Sequence, residues 1–174
     1  MKTLILMRHA KSDWNAGNTA DHDRSLSDRG RVAAPAMGRW LQDQNLFPDL
    51  VLCSTAVRAK ETLALVRPYL PQDVPTQLLE RLYLALPREM LVVLGKSQDA
   101  GLSTILLVGH NPGIGSLAHW LSAQGDPKYL AQMQDKFPTG AVAVIDFDIV
   151  SWQELDNEQG RLRAFKTPKQ LTKD

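Results

Sequence analysis

Three short runs of apolar residues punctuate the chain: Thr3–Met7, Asp49–Cys53 and Thr104–Val108. Each is four or five residues long, rich in Leu, Ile and Val, and bounded by charge, Pro or Gly, the pattern of strands buried on both faces of a parallel sheet. Ala141–Phe147 repeats the pattern, and Arg161–Lys166 repeats it more weakly. Between these runs the apolar period lengthens to that of helices. Ser27–Gln44 carries Val32, Ala36, Trp40 and Leu41 near helical spacing, with Ser27 as a cap. Pro35 inside it predicts a kink or a later start. Helical patterns follow over Ala56–Tyr69, Pro87–Lys96, Pro112–Ser122 and Pro127–Gln134. Strands alternating with helices predict an α/β fold, a three-layer sandwich whose mostly parallel central sheet is flanked by helices.

Length and composition narrow this picture without changing it. The 174 residues predict one domain, residues 1–166, followed by a basic, flexible tail over 167–174. A net charge of +1 gives no reason to expect nucleic acid or a membrane as partner. The apolar start ends at Arg8, too soon for a signal peptide core or a membrane span. One cysteine, Cys53, excludes an internal disulfide and fits a reducing compartment, the cytoplasm.

The chemistry collects after the strands. The first run leads into Arg8-His9, the second into Ser54 with Arg58 four residues on, and the third into Gly109-His110-Asn111. Ligands of open α/β sheets bind outside the carboxyl ends of the strands, so two histidines and two arginines converge on one cleft. Any one of them alone reads as a cap or a surface ion-pair partner; the set does not. Arginine is a planar, permanently charged fork suited to phosphate oxygens. Neutral imidazole is a nucleophile, and neighbouring guanidinium charges favour that neutral form. The set therefore points to phosphoryl transfer. One histidine attacks, the other donates hydrogen bonds, and the arginines hold the equatorial oxygens. No metal or other cofactor is invoked. Asp21-His22-Asp23 resembles a metal cluster but lacks a partner motif and reads as a solvated loop. His119 reads as a surface or boundary residue, and Cys53 as buried packing. Trp14, beside the His9 loop, is placed to line the cleft.

These segments resemble the signatures of the histidine phosphatase superfamily, the phosphoglycerate mutase-like group. Arg8-His9-Ala10-Lys11-Ser12-Asp13-Trp14-Asn15 is similar to its Arg-His-Gly element. Arg24-Ser25-Leu26-Ser27-Asp28-Arg29-Gly30 is similar to Pro-Leu-Thr-x-x-Gly. Ser54 to Thr62 is similar to Ser-x-x-x-Arg-Ala-x-x-Thr, and Gly109-His110-Asn111 to the second-histidine motif. The short length and Ala10 in place of Gly resemble the SixA-type phosphohistidine phosphatase branch. The resemblance implies His9 as the phosphorylated nucleophile, with Arg8, Arg58 and His110 on the phosphoryl group. It adds Asn15, Arg24 and Asn111 as further phosphate contacts. Leu78-Leu79-Glu80-Arg81-Leu82-Tyr83 is similar to the segment that carries a proton donor in many members. Glu80 is the candidate acid, against the alternative of a surface carboxylate paired with Arg81.

The expected activity is hydrolysis of a phosphoryl group through a phosphohistidine intermediate, on a protein phosphohistidine. Two alternatives stay open: a small-molecule phosphomonoesterase or mutase on the same scaffold, and a non-catalytic phosphoprotein-binding module.

Overall fold

The computed structural model describes residues 1–15, 17–97 and 101–172. Seven strands form one sheet: β1 (Lys2–Arg8), β2 (Leu50–Ser54), β3 (Thr76–Leu79), β4 (Thr104–Gly109), β5 (Ser122–Gly125), β6 (Val142–Phe147) and β7 (Gly160–Lys166). Their order is β3-β2-β4-β1-β6-β7-β5. The β3-β2-β4-β1 half is parallel. On the other side β6 runs antiparallel to β1 and β7, and β5 parallel to β7. The sheet is thus mixed but mostly parallel, as the sequence pattern predicts.

The unbroken apolar runs are explained by burial on both faces. On one face Leu4, Leu6, Leu50, Leu52, Ile105 and Leu107 meet the helices α3 (Pro87–Gly95), α4 (Gly113–Leu121) and α5 (Pro127–Asp135). On the other, Ile5, Met7, Val51, Cys53, Leu106 and Val108 meet α1 (Asp28–Asp43) and α2 (Val57–Val66). Successive residues of each strand alternate between the two cores, so both layers are packed by one short segment.

The structure departs from the sequence pattern in three places. First, α1 runs unbroken through Pro35. The lost backbone hydrogen bond is offset by burial of Ala34, Met37, Gly38 and Leu41 and by the Ser27 cap, whose hydroxyl accepts from the Gly30 amide at 3.2 Å. Second, β3 and β5 belong to the sheet although the sequence pattern passes over them. They are its two edge strands, short and largely exposed, and carry no apolar signature. Third, Pro168–Leu171, near the basic end of the chain, forms a short helix, α6, that the sequence pattern does not signal. Its Leu171 packs on the same core as α1, and Gln170 donates to Gln132 Oε1 at 3.4 Å. Residues 173 and 174 lie outside the described residues.

Two glycines fix the end of β1. Gly140, at φ +78°, turns its amide toward the carbonyl oxygens of Arg8 and His9, at 3.1 and 2.9 Å. Gly30 lies so close to the loop after His9 that a Cβ would stand 2.2 Å from the Lys11 carbonyl oxygen. That loop is further held by Ser27, whose amide and hydroxyl both donate to the same oxygen, at 2.9 and 3.1 Å. The first turn of α1 thus clamps the residues that follow His9.

Candidate active site

The adjacent parallel strands β2, β4 and β1 deliver Ser54, His110 and His9 to one end of the sheet. Arg58 joins them from the first turn of α2. Together with Arg8, Arg24, Asp21, Lys11, Ser12, Trp14, Leu84, Asn111 and Thr139, the two histidines and Arg58 wall a cleft of about 340 Å³.

His9 is 6% exposed and tightly held. Its Nδ1 lies 2.7 Å from the Ala10 carbonyl oxygen, which only accepts, so the ring proton sits on Nδ1. The lone pair is left on Nε2, which accepts from Arg58 Nε at 3.3 Å. The Ala10 amide donates to Thr62 Oγ1 at 3.0 Å, and that hydroxyl donates to the Arg58 carbonyl at 2.6 Å. The His9 loop and α2 are therefore stitched together behind the site. His110 lies with its ring centroid 5.1 Å from that of His9. Its Nε2 is 2.8 Å from Ser54 Oγ, and that oxygen accepts from the Ala56 amide at 3.2 Å. Among the described residues His110 Nδ1 and Arg8 Nε are buried without a hydrogen-bond partner, and Arg8 Nη1 donates to the Phe137 carbonyl at 3.1 Å.

Burial, and after it the charges of Arg58, Arg8 and Arg24, push the His9 pKa down to about 4 against the opposing pull of the Ala10 carbonyl. Burial, then His9 and Arg58, push His110 down to about 3. Both rings are neutral at pH 7. Both groups are depressed below their ordinary value of 6.5, so the unfolded chain binds protons that the folded chain refuses. Their contribution is intact above pH 6.5 and is lost as the pH falls toward 4, by about 3 kcal/mol for His9 alone. Urea unfolding at pH 7, 5.5 and 4 should show that loss. A midpoint that does not move across this window would show that the rings are not buried in neutral form.

The other sequence candidates divide. Arg24 is buried, donates from Nη1 to Ser12 Oγ at 2.7 Å and lies over the Trp14 ring at 3.7 Å. Asn111 walls the cleft, but its amide is engaged: Nδ2 donates to the Phe137 carbonyl at 2.9 Å and Oδ1 accepts from the Gly115 amide at 3.0 Å. Asn15 is exposed and does not wall the cleft; its backbone amide donates to Asp13 Oδ1 at 2.8 Å. Glu80 is exposed as well, stands away from the cleft wall, and forms no ion pair with Arg81. It opens the short 3-10 turn Glu80–Leu82, whose following residue, Tyr83, turns toward the site instead.

Asp21 is the residue that sequence reasoning passes over. Its Oδ1 accepts from Arg24 Nε and Nη2 at 3.2 and 3.0 Å, and its Oδ2 accepts from Arg58 Nη2 at 3.1 Å and from the Tyr83 hydroxyl. The Tyr83 hydrogen bond first, with those of Arg24 and Arg58, holds its carboxyl well below the usual range, and the same contact pushes the Tyr83 phenol up. Asp21 sits in the Asp-His-Asp triplet that looked like a metal cluster. Its neighbour His22 instead meets Thr55 Oγ1 at 3.0 Å through Nε2. Among the described residues, no group of three or more His, Cys, Asp or Glu is placed to hold a metal ion. Cys53 is fully buried, and burial pushes its thiol up to about 12, which makes it inert packing. His119 is exposed on α4, and no helix of the described residues is long and apolar enough to cross a membrane.

Comparison with known proteins bears on the family and the fold. The family profile described as histidine phosphatase superfamily (branch 1) matches residues 4–83, which carry Arg8, His9, Arg24 and Arg58. The uncharacterized protein ML1117 of Mycobacterium leprae (strain TN) is 38% identical over 167 residues, 94% of this chain and the whole of that protein. A solved structure from Nakamurella multipartitia, described as a "putative phosphohistidine phosphatase SixA", superposes with a TM-score of 0.82 at 31% identity over 96% of each chain. One from Agrobacterium tumefaciens, named likewise, gives 0.78 at 27% identity over 96% of this chain and 98% of its own. The chain belongs to the histidine phosphatase superfamily, branch 1, and shares the α/β fold of the SixA structures.

Proposed function

We propose that this phosphatase removes the phosphoryl group from a protein phosphohistidine through a phospho-His9 intermediate, without a metal. The observation that carries the reading is the single orientation of His9. The Ala10 carbonyl holds the ring proton on Nδ1, so Nε2 presents its lone pair among Arg8, Arg24 and Arg58. In the first step Nε2 attacks phosphorus and the bond to the substrate imidazole breaks; the substrate ring carries a proton on its other nitrogen, so the departing nitrogen keeps the bonding pair and leaves as neutral imidazole. His9 becomes positively charged as the new N–P bond forms, and its Nδ1–H bond to Ala10 strengthens with that charge. Water then attacks the same phosphorus from the opposite side, and the N–P bond pair returns to Nε2 as phosphate leaves. Arg8 and Arg58 hold the equatorial oxygens throughout.

An imidazole leaving group departs readily, so the reaction does not depend on a strong acid, and Glu80 on the surface is consistent with that. A protein substrate is supported by the rim, where Trp14 and Leu84 stand 74% and 52% exposed beside the histidines. The buried thiol Cys53 fits action in the cytoplasm. The test is a release assay comparing a phosphohistidine protein with a panel of sugar, nucleotide and aryl phosphates. A kcat/KM at least tenfold higher on phosphohistidine is expected. Strong preference for one small ester would replace this reading with a phosphomonoesterase, and oxyanion binding without turnover on any substrate would replace it with a binding module.

Ser54 has a defined part in this scheme. Among the described residues its oxygen meets the Ala56 amide, which can only donate, and His110 Nε2, so the hydroxyl proton goes to His110 Nε2 and the ring proton of His110 stays on Nδ1. That unmatched donor is the group available to a phosphoryl oxygen. Ser54→Ala is expected to lower kcat about tenfold, the worth of one misplaced donor, and to weaken vanadate inhibition in parallel. An unchanged kcat would show that the hydroxyl does not orient the ring.

A further inference from the structure

A second and larger groove, about 550 Å³, adjoins the catalytic cleft and shares Lys11 and Thr139 with it as common walls. Four cations line it: Lys11 from the loop after His9, Arg29 from the first turn of α1, Lys136 from the end of α5 and Lys169 from α6. All four are exposed, and Asp135 is the one acidic residue in the lining. Among the described residues none of the four takes part in an ion pair. Their neighbours do: Arg31, two residues from Arg29, meets Glu61 at 3.0 Å, Arg24 and Arg58 meet Asp21, and Arg163 meets Asp146 at 3.2 Å. In a chain of net charge +1, four unmatched cations on one groove are a local concentration rather than a reflection of composition.

The cations come from four separate elements, which spreads the charge along the groove. In the catalytic cleft the arginines instead converge on His9. A distributed row of cations suits a chain bearing several carboxylates, and the shared wall makes the groove a continuation of the path from the phosphoryl site. We propose that this groove docks an acidic stretch of the substrate protein that flanks its phosphohistidine. The inference rests on the phosphohistidine reading for the identity of the phosphorylated residue, while its electrostatic content stands by itself. Such docking steers approach and lowers KM without altering the chemical step, and it weakens with salt.

The experiment compares two labelled peptides carrying phosphoryl-triazolylalanine, a stable phosphohistidine mimic. One has four Asp or Glu residues beside it and the other has Asn and Gln in their place. Binding is measured to the unaltered protein, to Arg29→Glu/Lys169→Glu and to Lys169→Glu alone, with turnover of a small phosphoramidate as the control for an intact active site. The unaltered protein is expected to bind the acidic peptide about tenfold more tightly at low salt. The double variant should lose that preference while turning over phosphoramidate normally. Equal binding of the two peptides by the unaltered protein, or a preference that survives both substitutions, would overturn the docking proposal. So would competition by tripolyphosphate as effective as that by the acidic peptide, which would assign the groove to a small polyanion. The acidic preference without any turnover of a phosphohistidine protein would instead overturn the proposed function and leave the groove assignment standing.

Discussion

Replacing His9 with Ala is expected to abolish turnover, by a factor of about 10⁴ or more, because among the described residues His9 alone presents a ring lone pair directed at the cleft arginines, where Arg58 Nε already meets it. His110 is neutral as well, but its Nε2 is tied to Ser54. His22 meets Thr55 and does not wall the cleft. The fold should survive, since the deletion costs the Ala10 carbonyl one hydrogen bond, about 1 kcal/mol, and leaves Thr62 and Gly140 holding the loop. The measurement is covalent trapping with a radiolabelled phosphoryl donor. The unaltered protein should carry an acid-labile, alkali-stable label on His9, and His9→Ala should carry none. Label recovered from any other residue would end the assignment of the nucleophile.

Arg58 ranks second in expected effect. One guanidinium donates to His9 Nε2, to the Asp21 carbonyl at 2.7 Å and to the Asp21 carboxylate. A lysine ammonium cannot reproduce that planar fork, so Arg58→Lys should behave much like Arg58→Ala. Either change should lower kcat by about 10²–10³, the usual loss when one charged donor to the transferring group is removed. A second readout separates this from mere loosening. Arg58 is among the charges that depress His9, so His9 should titrate higher in Arg58→Ala, which removes the charge, when followed by NMR. An unchanged kcat would remove Arg58 from the phosphoryl site, and an unchanged His9 titration would show that the Arg58 charge does not set its acidity.

What the sequence revealed and what it hid divide along physical lines. The convergence of His9, Arg58 and His110 was legible because each follows an apolar run buried on both faces, and parallel strands present their carboxyl ends together. The edge strands β3 and β5 were not, because a strand with one neighbour and an exposed face needs no apolar sequence. Asp21 was hidden for a different reason. A carboxylate in a polar loop looks solvated in one dimension, and its value comes from Arg24, Arg58 and Tyr83, the last two brought to it from 37 and 62 residues away. Glu80 shows the converse. Its segment matches a known pattern, yet the chain turns there so that Tyr83, three residues on, approaches His110, with ring centroids 5.4 Å apart, while Glu80 faces outward. The basic end of the chain reads as a solvated tail until α6 folds Lys169 back onto the groove beside α1.

The carboxylate of Asp21 also bears on how fast the catalyst can cycle. Arg24 and Arg58 already hold one anion of the protein's own, so in the proposed mechanism an arriving phosphoryl group would gain only the difference between its grip and that of Asp21. In the proposed mechanism the same exchange would run in reverse at the end of each cycle, with Asp21 reclaiming Arg58 as inorganic phosphate departs. A set of bare arginines would bind product as eagerly as substrate. An internal competitor flattens that energy well, and so trades ground-state affinity for turnover.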